Sequence, residues 1–494
     1  MMKAKISISK DRVISKIDDR LYGSFIEHLG RAVYTGIYEP GHETADDMGF
    51  RKDVLEVVKS MNVPLVRYPG GNFVSGYHWE DGIGPKEKRP KKLDLAWSTI
   101  ETNEVGIDEF QEWAKRVGCE VMMAVNLGTR GAEDAKNLVE YCNLNTDTYY
   151  ANLRKQNGFE EPFAIRTWCL GNEMDGPWQM GAKKPMEYAR LAVETAKMMK
   201  WVDPSIEVVA CGSSGPFMPT FGEWEKTVLQ EGYDQIDYIS LHSYYGNPKE
   251  NTPYFLGSSL IMDKFIENVV KICDEVKEEK KSEKTVNLSF DEWNVWFHSN
   301  EQDKKQERWQ IAPPLLEDIY NVEDALVVGT LLITLLRHAD RVKIGCLAQL
   351  VNVIAPVMTE KNGKVWLQTI FYPFFHTSVN GRGTALTTDV EVETYKAEEL
   401  EAIPYVDAMT VLSEDESTLT LFAVNRSLTE TADLDLELTG FEGYKPVRME
   451  VLDGYDVKET NSAEDQHVAS RAKEVGEKIS LAPLSWNMVQ FRKD

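Results

Sequence analysis

Apolar positions in the first two thirds of the chain fall into short strand-like runs separated by longer stretches of helical spacing. The runs lie at 21–28, 63–69, 120–127, 165–170, 206–211, 238–242, 286–290 and 342–349. Several are apolar nearly throughout, as parallel strands covered by helices require. Between them, apolar residues recurring every three to four positions predict helices at 50–61, 107–117, 132–141, 185–201, 261–280 and 324–337. A strand–helix alternation repeated about eight times predicts an α/β fold of the (β/α)8 TIM-barrel type. The alternative, a doubly wound open sheet, usually has fewer strands and often a Gly-rich phosphate turn, which is not found here.

After residue 376 the pattern changes. Segments at 418–424, 433–438, 447–452 and 486–491 read as strands, separated by turn residues such as Gly440, Gly443 and Gly454. They predict a C-terminal all-β sandwich, jelly-roll-like in type. The N-terminus alternates apolar and polar residues and has no helix before residue 20, so it is expected to join the sandwich. The division expected is a catalytic barrel at 17–375 and a sandwich built from 1–16 plus 376–494.

Composition narrows the function. The 494 residues carry a net charge of −25. Nucleic-acid binders need a basic footprint, which is missing, and an anionic membrane surface is disfavoured for the same reason. Six cysteines without Cys-x-x-Cys spacing argue against a zinc ribbon or a disulfide framework, and read as small buried side chains. His28 and His242 have no partners at ligand spacing, so no metal and no cofactor are expected. The longest mostly apolar run, 325–336, is too short to span a bilayer. The N-terminus lacks the apolar run of a signal peptide. A cytoplasmic protein is expected.

Barrels of this kind place their chemistry at the C-terminal ends of the strands. The residues delivered there include Glu27 and His28, Arg67 to Asn72, Asn126, Asn172 and Glu173, His242 to Tyr245, Asp291 to Asn294, and Gln349 to Asn352. Amides and carboxylates hydrogen-bond sugar hydroxyls, and aromatic rings pack on the apolar sugar face. Glycoside hydrolysis also needs two carboxyl groups flanking one bond. Glu173 and Glu292 each follow an apolar run closely, on strands four and seven, and are expected to face each other over the mouth. Asp291 is expected to be structural, because neighbours on a strand point to opposite sides.

The segments Tyr22-Gly-Ser-Phe-Ile-Glu-His-Leu-Gly30, Arg67-Tyr-Pro-Gly-Gly-Asn-Phe73, Cys169-Leu-Gly-Asn-Glu-Met-Asp-Gly-Pro-Trp178, Ser289-Phe-Asp-Glu-Trp-Asn294 and Cys346-Leu-Ala-Gln-Leu-Val-Asn352 resemble those of clan A glycoside hydrolases. More narrowly, the whole chain resembles the α-L-arabinofuranosidases of glycoside hydrolase family 51. The resemblance implies a retaining double displacement, with Glu292 as nucleophile and Glu173 as acid/base. It implies that Glu27, Asn72, Asn172, Tyr244 and Gln349 hold the furanose hydroxyls, and that Trp97 walls that subsite. Asn72 is a departure, since some relatives carry Cys there. Glu27 could instead pair with Arg67. Trp178 and Trp296 are candidates for the leaving-group side, and His242 for orienting a catalytic carboxylate. The implied partner is an arabinofuranosyl oligosaccharide, and the implied assembly a homo-oligomer, a hexamer. Endo-β-glucanase or β-xylosidase activity on the same barrel, or a non-catalytic carbohydrate-binding protein, remain alternatives.

Overall fold

The structure, a computed structural model, describes residues 2–476 and 478–493. Eight parallel strands close into a barrel: Gly23–Phe25, Leu65–Tyr68, Glu120–Val125, Thr167–Leu170, Glu207–Ala210, Tyr238–Tyr245, Asn287–Val295 and Val342–Leu347. Neighbours in the chain are neighbours in space, and the eighth strand pairs with the first to close the ring. This is the TIM barrel that the alternation predicts.

Two strands run further than their apolar stretches. The sixth continues to Tyr245 and the seventh to Val295, so Glu292 lies within a strand and not after it. The seventh also holds a β-bulge. Three steps from Ser289 to Glu292 face two steps from Ser240 to His242, and the register with the eighth strand slips between Phe290 and Trp293. An extra residue breaks the two-residue alternation of side chains. Asp291 and Glu292 consequently both turn into the barrel, against the expectation that they point to opposite sides. Both come close to His242 and Arg67.

The helix Val322–Arg337 is buried over its first fifteen residues, on every face. Apolarity all round marks a helix packed on all sides, and this one lies between the barrel and the second domain, against the strands Val406–Leu412, Thr418–Asn425 and Asn287–Val295. The helices Tyr149–Gln156, Glu223–Gly232 and Phe371–Asn380 were not marked by the apolar spacing.

The second domain is a β-sandwich of nine hydrogen-bonded strands. Strand Met2–Lys16 pairs antiparallel with Thr384–Glu391 and parallel with Ala432–Thr439, so the N-terminus belongs to this sheet. Its core, including Ile6, Leu421, Val489 and Phe491, is separate from that of the barrel. Among the described residues no helix is long and apolar enough to cross a membrane.

Candidate active site

A cavity of about 470 Å³ opens at the C-terminal mouth of the barrel, within the usual size range for small-molecule sites. Its lining includes Glu27, Asn72, Trp97, Glu173, Trp178, Tyr244, Glu292, Trp296 and Gln349. Asn172 and His242 are not on its wall. They lie behind it, 1% and 2% exposed.

Glu292 is held by two donors. Arg67 Nη1 donates to Oε1 at 2.6 Å, and the Tyr244 hydroxyl donates to Oε2 at 2.9 Å. Arg67 reaches Asn172 with its other arm, Nη2 to Oδ1 at 2.8 Å, and the Asn172 amide donates to Asn72 Oδ1 at 3.2 Å. Arg67 thus serves Glu292 and Asn172; the expected pairing with Glu27 is not made. Arg67 stands among the residues that strand two delivers to the mouth, but nothing in its local pattern points to strand seven.

Glu173 sits in the left-handed region at φ 44°, a conformation that costs a non-glycine residue about 1 kcal/mol or more and clusters at functional sites. The turn brings its carboxyl between Trp178, whose Nε1 donates to Oε2 at 2.7 Å, and His242, whose Nδ1 lies 2.9 Å from Oε1. Burial raises its pKa. Hydrogen bonds from His242 and Trp178 oppose the rise, and nearby Glu292 adds to it. These are the conditions of a carboxyl that keeps a proton available.

His242 is clamped on both sides, with Nε2 2.9 Å from Asp291 Oδ1. Burial alone would lower its pKa. The surrounding carboxylates of Glu292, Asp291 and Glu173 prevail and push it up to about 10, so both ring nitrogens donate at neutral pH. The sequence reading that His242 has no partners at ligand spacing is corrected here. Ligand-type atoms of Glu173, His242 and Glu292 lie within 4.8 Å of one another, brought together from strands six and seven and the turn after strand four. His242 is engaged on both ring nitrogens, with Glu173 Oε1 and Asp291 Oδ1 each at 2.9 Å.

Glu27 accepts from Phe73 N at 2.8 Å and Trp97 Nε1 at 2.9 Å, and Gln349 takes Glu27 N on its carbonyl at 3.0 Å. A Cβ on Gly71 would fall 2.1 Å from Glu27 Oε2, so only glycine lets the loop pass this close. Burial pushes the Glu27 carboxyl up to about 8, against the pull of its two donors and with Glu292 and Asp94 adding to the rise. Asp94 accepts from Ala96 N and Trp97 N and so fixes the loop that carries the Trp97 ring. Trp296 meets Tyr244 edge to face, centroids 5.3 Å apart. Phe217 also lines the cavity and is 73% exposed; it lies on a loop without apolar periodicity.

Two carboxyl groups poised over one apolar and aromatic cavity, on a TIM barrel, define a glycoside hydrolase. Residues 57–259 match the α-L-arabinofuranosidase 1 domain family, and residues 291–488 the α-L-arabinofuranosidase C-terminal domain family. The chain is 57% identical to the intracellular exo-α-(1→5)-L-arabinofuranosidase 1 of Bacillus subtilis, with both chains covered in full. It is 52% identical to the intracellular exo-α-(1→5)-L-arabinofuranosidase of Acetivibrio thermocellus, again over both full lengths. The solved family 51 α-L-arabinofuranosidase of Bifidobacterium longum superposes with a TM-score of 0.96 at 45% identity, covering all of both chains. The chain belongs to glycoside hydrolase family 51, the α-L-arabinofuranosidases.

Proposed function

We propose that the protein is a retaining, exo-acting α-L-arabinofuranosidase that removes terminal non-reducing arabinofuranosyl residues from arabino- and arabinoxylo-oligosaccharides. The observation that supports the mechanism is that Glu173 and Glu292 each bring one carboxylate oxygen within 4.8 Å of the other's, a closeness compatible with the shorter of two known separations. Retaining enzymes hold their two carboxyl groups about 5–5.5 Å apart, whereas inverting ones need about 6.5–9.5 Å to admit a water. Glu292 attacks the anomeric carbon while Glu173 gives its proton to the departing oxygen. Glu173 then takes a proton from the water that releases the sugar.

Glu27, Asn72, Tyr244 and Gln349 supply hydrogen bonds to the furanose, and Trp97 its wall. Glu27, protonated below about pH 8, is able to donate. Asn172 belongs to the same proposed furanose-binding set, and it also holds Asn72 and Arg67. Trp178 and Trp296 flank the leaving group. The proposed division into a barrel at 17–375 and a sandwich from 1–16 plus 376–494 is supported by strand membership, with the helix Phe371–Asn380 straddling the join. The Bacillus subtilis and Acetivibrio thermocellus relatives are named intracellular, which supports action on short oligosaccharides in the cytoplasm.

The test is release of p-nitrophenol from the aryl α-L-arabinofuranoside, with the anomer of the first-formed sugar followed by NMR. Wild type should turn over with retention, and Glu292→Ala should fall by about 10⁴-fold or more. An inactive wild type, or inversion, would overturn the reading. Assembly as a hexamer is part of the proposal; light scattering giving the mass of a single chain would contradict it.

A further inference from the structure

Asp291 has no role in the mechanism above, yet it is 1% exposed and stands at the centre of the buried charges. The bulge in strand seven turns it inward beside Glu292. One of its oxygens lies 2.9 Å from His242 Nε2, and the other faces Arg67 Nε and Cys169 Sγ, each at 3.9 Å. On the far side of the same ring, His242 Nδ1 lies 2.9 Å from Glu173. Asp291, His242 and Glu173 therefore form a line that ends on the carboxyl assigned as acid/base.

We propose that Asp291 is a positioning residue for Glu173, acting through His242: by accepting the Nε2 hydrogen it fixes the imidazole so that its Nδ1–H is delivered to the Glu173 carboxyl. The inference rests on the acid/base reading of Glu173. When Glu173 gives its proton to the leaving oxygen it becomes a carboxylate in a buried site. A charged ring held 2.9 Å away stabilises that carboxylate, so Glu173 is a stronger acid at the moment of bond cleavage. In the second step the same ring steadies the carboxylate that accepts the water proton. The proton moves only between Glu173 and the substrate or water oxygens, and His242 keeps both of its own.

Charge balance supports this division. The groups facing the ring are Glu173, Asp175, Asp291 and Glu292, with Arg67 behind the two residues of strand seven and the Tyr244 hydroxyl beside Glu292. Asp175 is engaged by Ser214, whose N and Oγ both donate to it. Among the fully buried groups, which leaves out the half-buried Asp175, Arg67 and His242 as cations offset Asp291 and Glu292 as anions while Glu173 keeps one proton. Such a set avoids the cost of an unpaired buried charge. Without the Asp291 charge, the set favours loss of the His242 proton.

The test compares arabino-oligosaccharide, whose leaving group needs a proton, with 2,4-dinitrophenyl α-L-arabinofuranoside, whose leaving group does not. Asp291→Asn should lose about 100-fold in kcat/KM on the oligosaccharide and less than about 5-fold on the activated aryl glycoside. The oligosaccharide loss should shrink as the pH falls and His242 regains its charge. Glu173→Ala, measured alongside, should show a still steeper dependence on the leaving group. If Glu173→Ala shows none, the acid/base reading fails. If Glu173→Ala shows it and Asp291→Asn loses equally on both substrates at every pH, or loses nothing, the role of Asp291 fails. Should Asp291→Asn not fold, His242→Gln carries the test, and an equal loss on both substrates overturns the inference. In soluble variants, Asp291→Asn combined with His242→Gln should be no worse than His242→Gln alone. A further loss in the double variant would mean that Asp291 acts by another route.

Discussion

At the scale of single residues, the two assigned carboxyls could be read from the chain because each closely follows an apolar strand run. Their partners could not. Regular strand alternation points Asp291 away from the site, and only the extra residue at the bulge, which depends on pairing with two neighbouring strands, turns it inward. Arg67 likewise reveals its role only when strands two, four and seven come together. The Trp178 indole is a sharper case, since its Nε1 hydrogen bond lowers the Glu173 pKa. Trp178→Phe removes that donor and keeps most of the ring. The Glu173 pKa should rise, so the alkaline limb of the kcat/KM profile should move to higher pH, by up to about one unit. A limb that stays in place or moves to lower pH would show that the indole does not tune this carboxyl.

At the scale of elements, the eight barrel strands were legible because buried parallel strands are apolar on both faces. The strands Thr384–Glu391 and Val406–Leu412 were not marked. The first is mostly polar, and the second carries Asp407 inside its run, paired with Arg337 and Arg426. The interface helix Val322–Arg337 was legible as buried but not as the seam between domains. At its centre Gly329 approaches Trp486, and an added Cβ would sit 2.5 Å from the indole Cδ1. Gly329→Ala gains about 1 kcal/mol of helix propensity, but forcing the buried Trp486 aside costs more. The net expectation is a loss of about 1–3 kcal/mol in denaturant unfolding, with the kinetics of the remaining folded enzyme unchanged. A stabilised variant would show that the seam has slack.

At the scale of the whole molecule, the buried charges that form the site also set its stability against pH. Glu27 rises from its ordinary 4.5 to about 8. Between those values the folded chain holds a proton that the unfolded chain has released, so stability falls as pH rises across that window. His242, raised from 6.5 to about 10, extends the decline to higher pH by the same sign. Asp407 works in the opposite direction. Despite its burial, Arg337 and Arg426 hold it below its ordinary 3.8, and its contribution is lost in acid. Tm should therefore peak at mildly acidic pH and fall toward about pH 9.5, and Glu27→Gln should flatten the part of the decline that lies below about pH 8. A Tm that climbs from pH 6 to 9 in wild type would contradict the assigned protonation states.

In the proposed mechanism Glu292 forms a covalent bond to the sugar while Glu173 manages the proton. The most direct measurement mixes Glu173→Ala with 2,4-dinitrophenyl α-L-arabinofuranoside, where fast cleavage and slow release should accumulate the intermediate. The protein is then digested and its peptides read by mass spectrometry. The expected result is a single pentosyl ester on the peptide containing Glu292, lost on adding azide as a replacement nucleophile. A burst of dinitrophenol with no pentosyl ester on any peptide, or with the sugar on another carboxylate, would contradict the assignment.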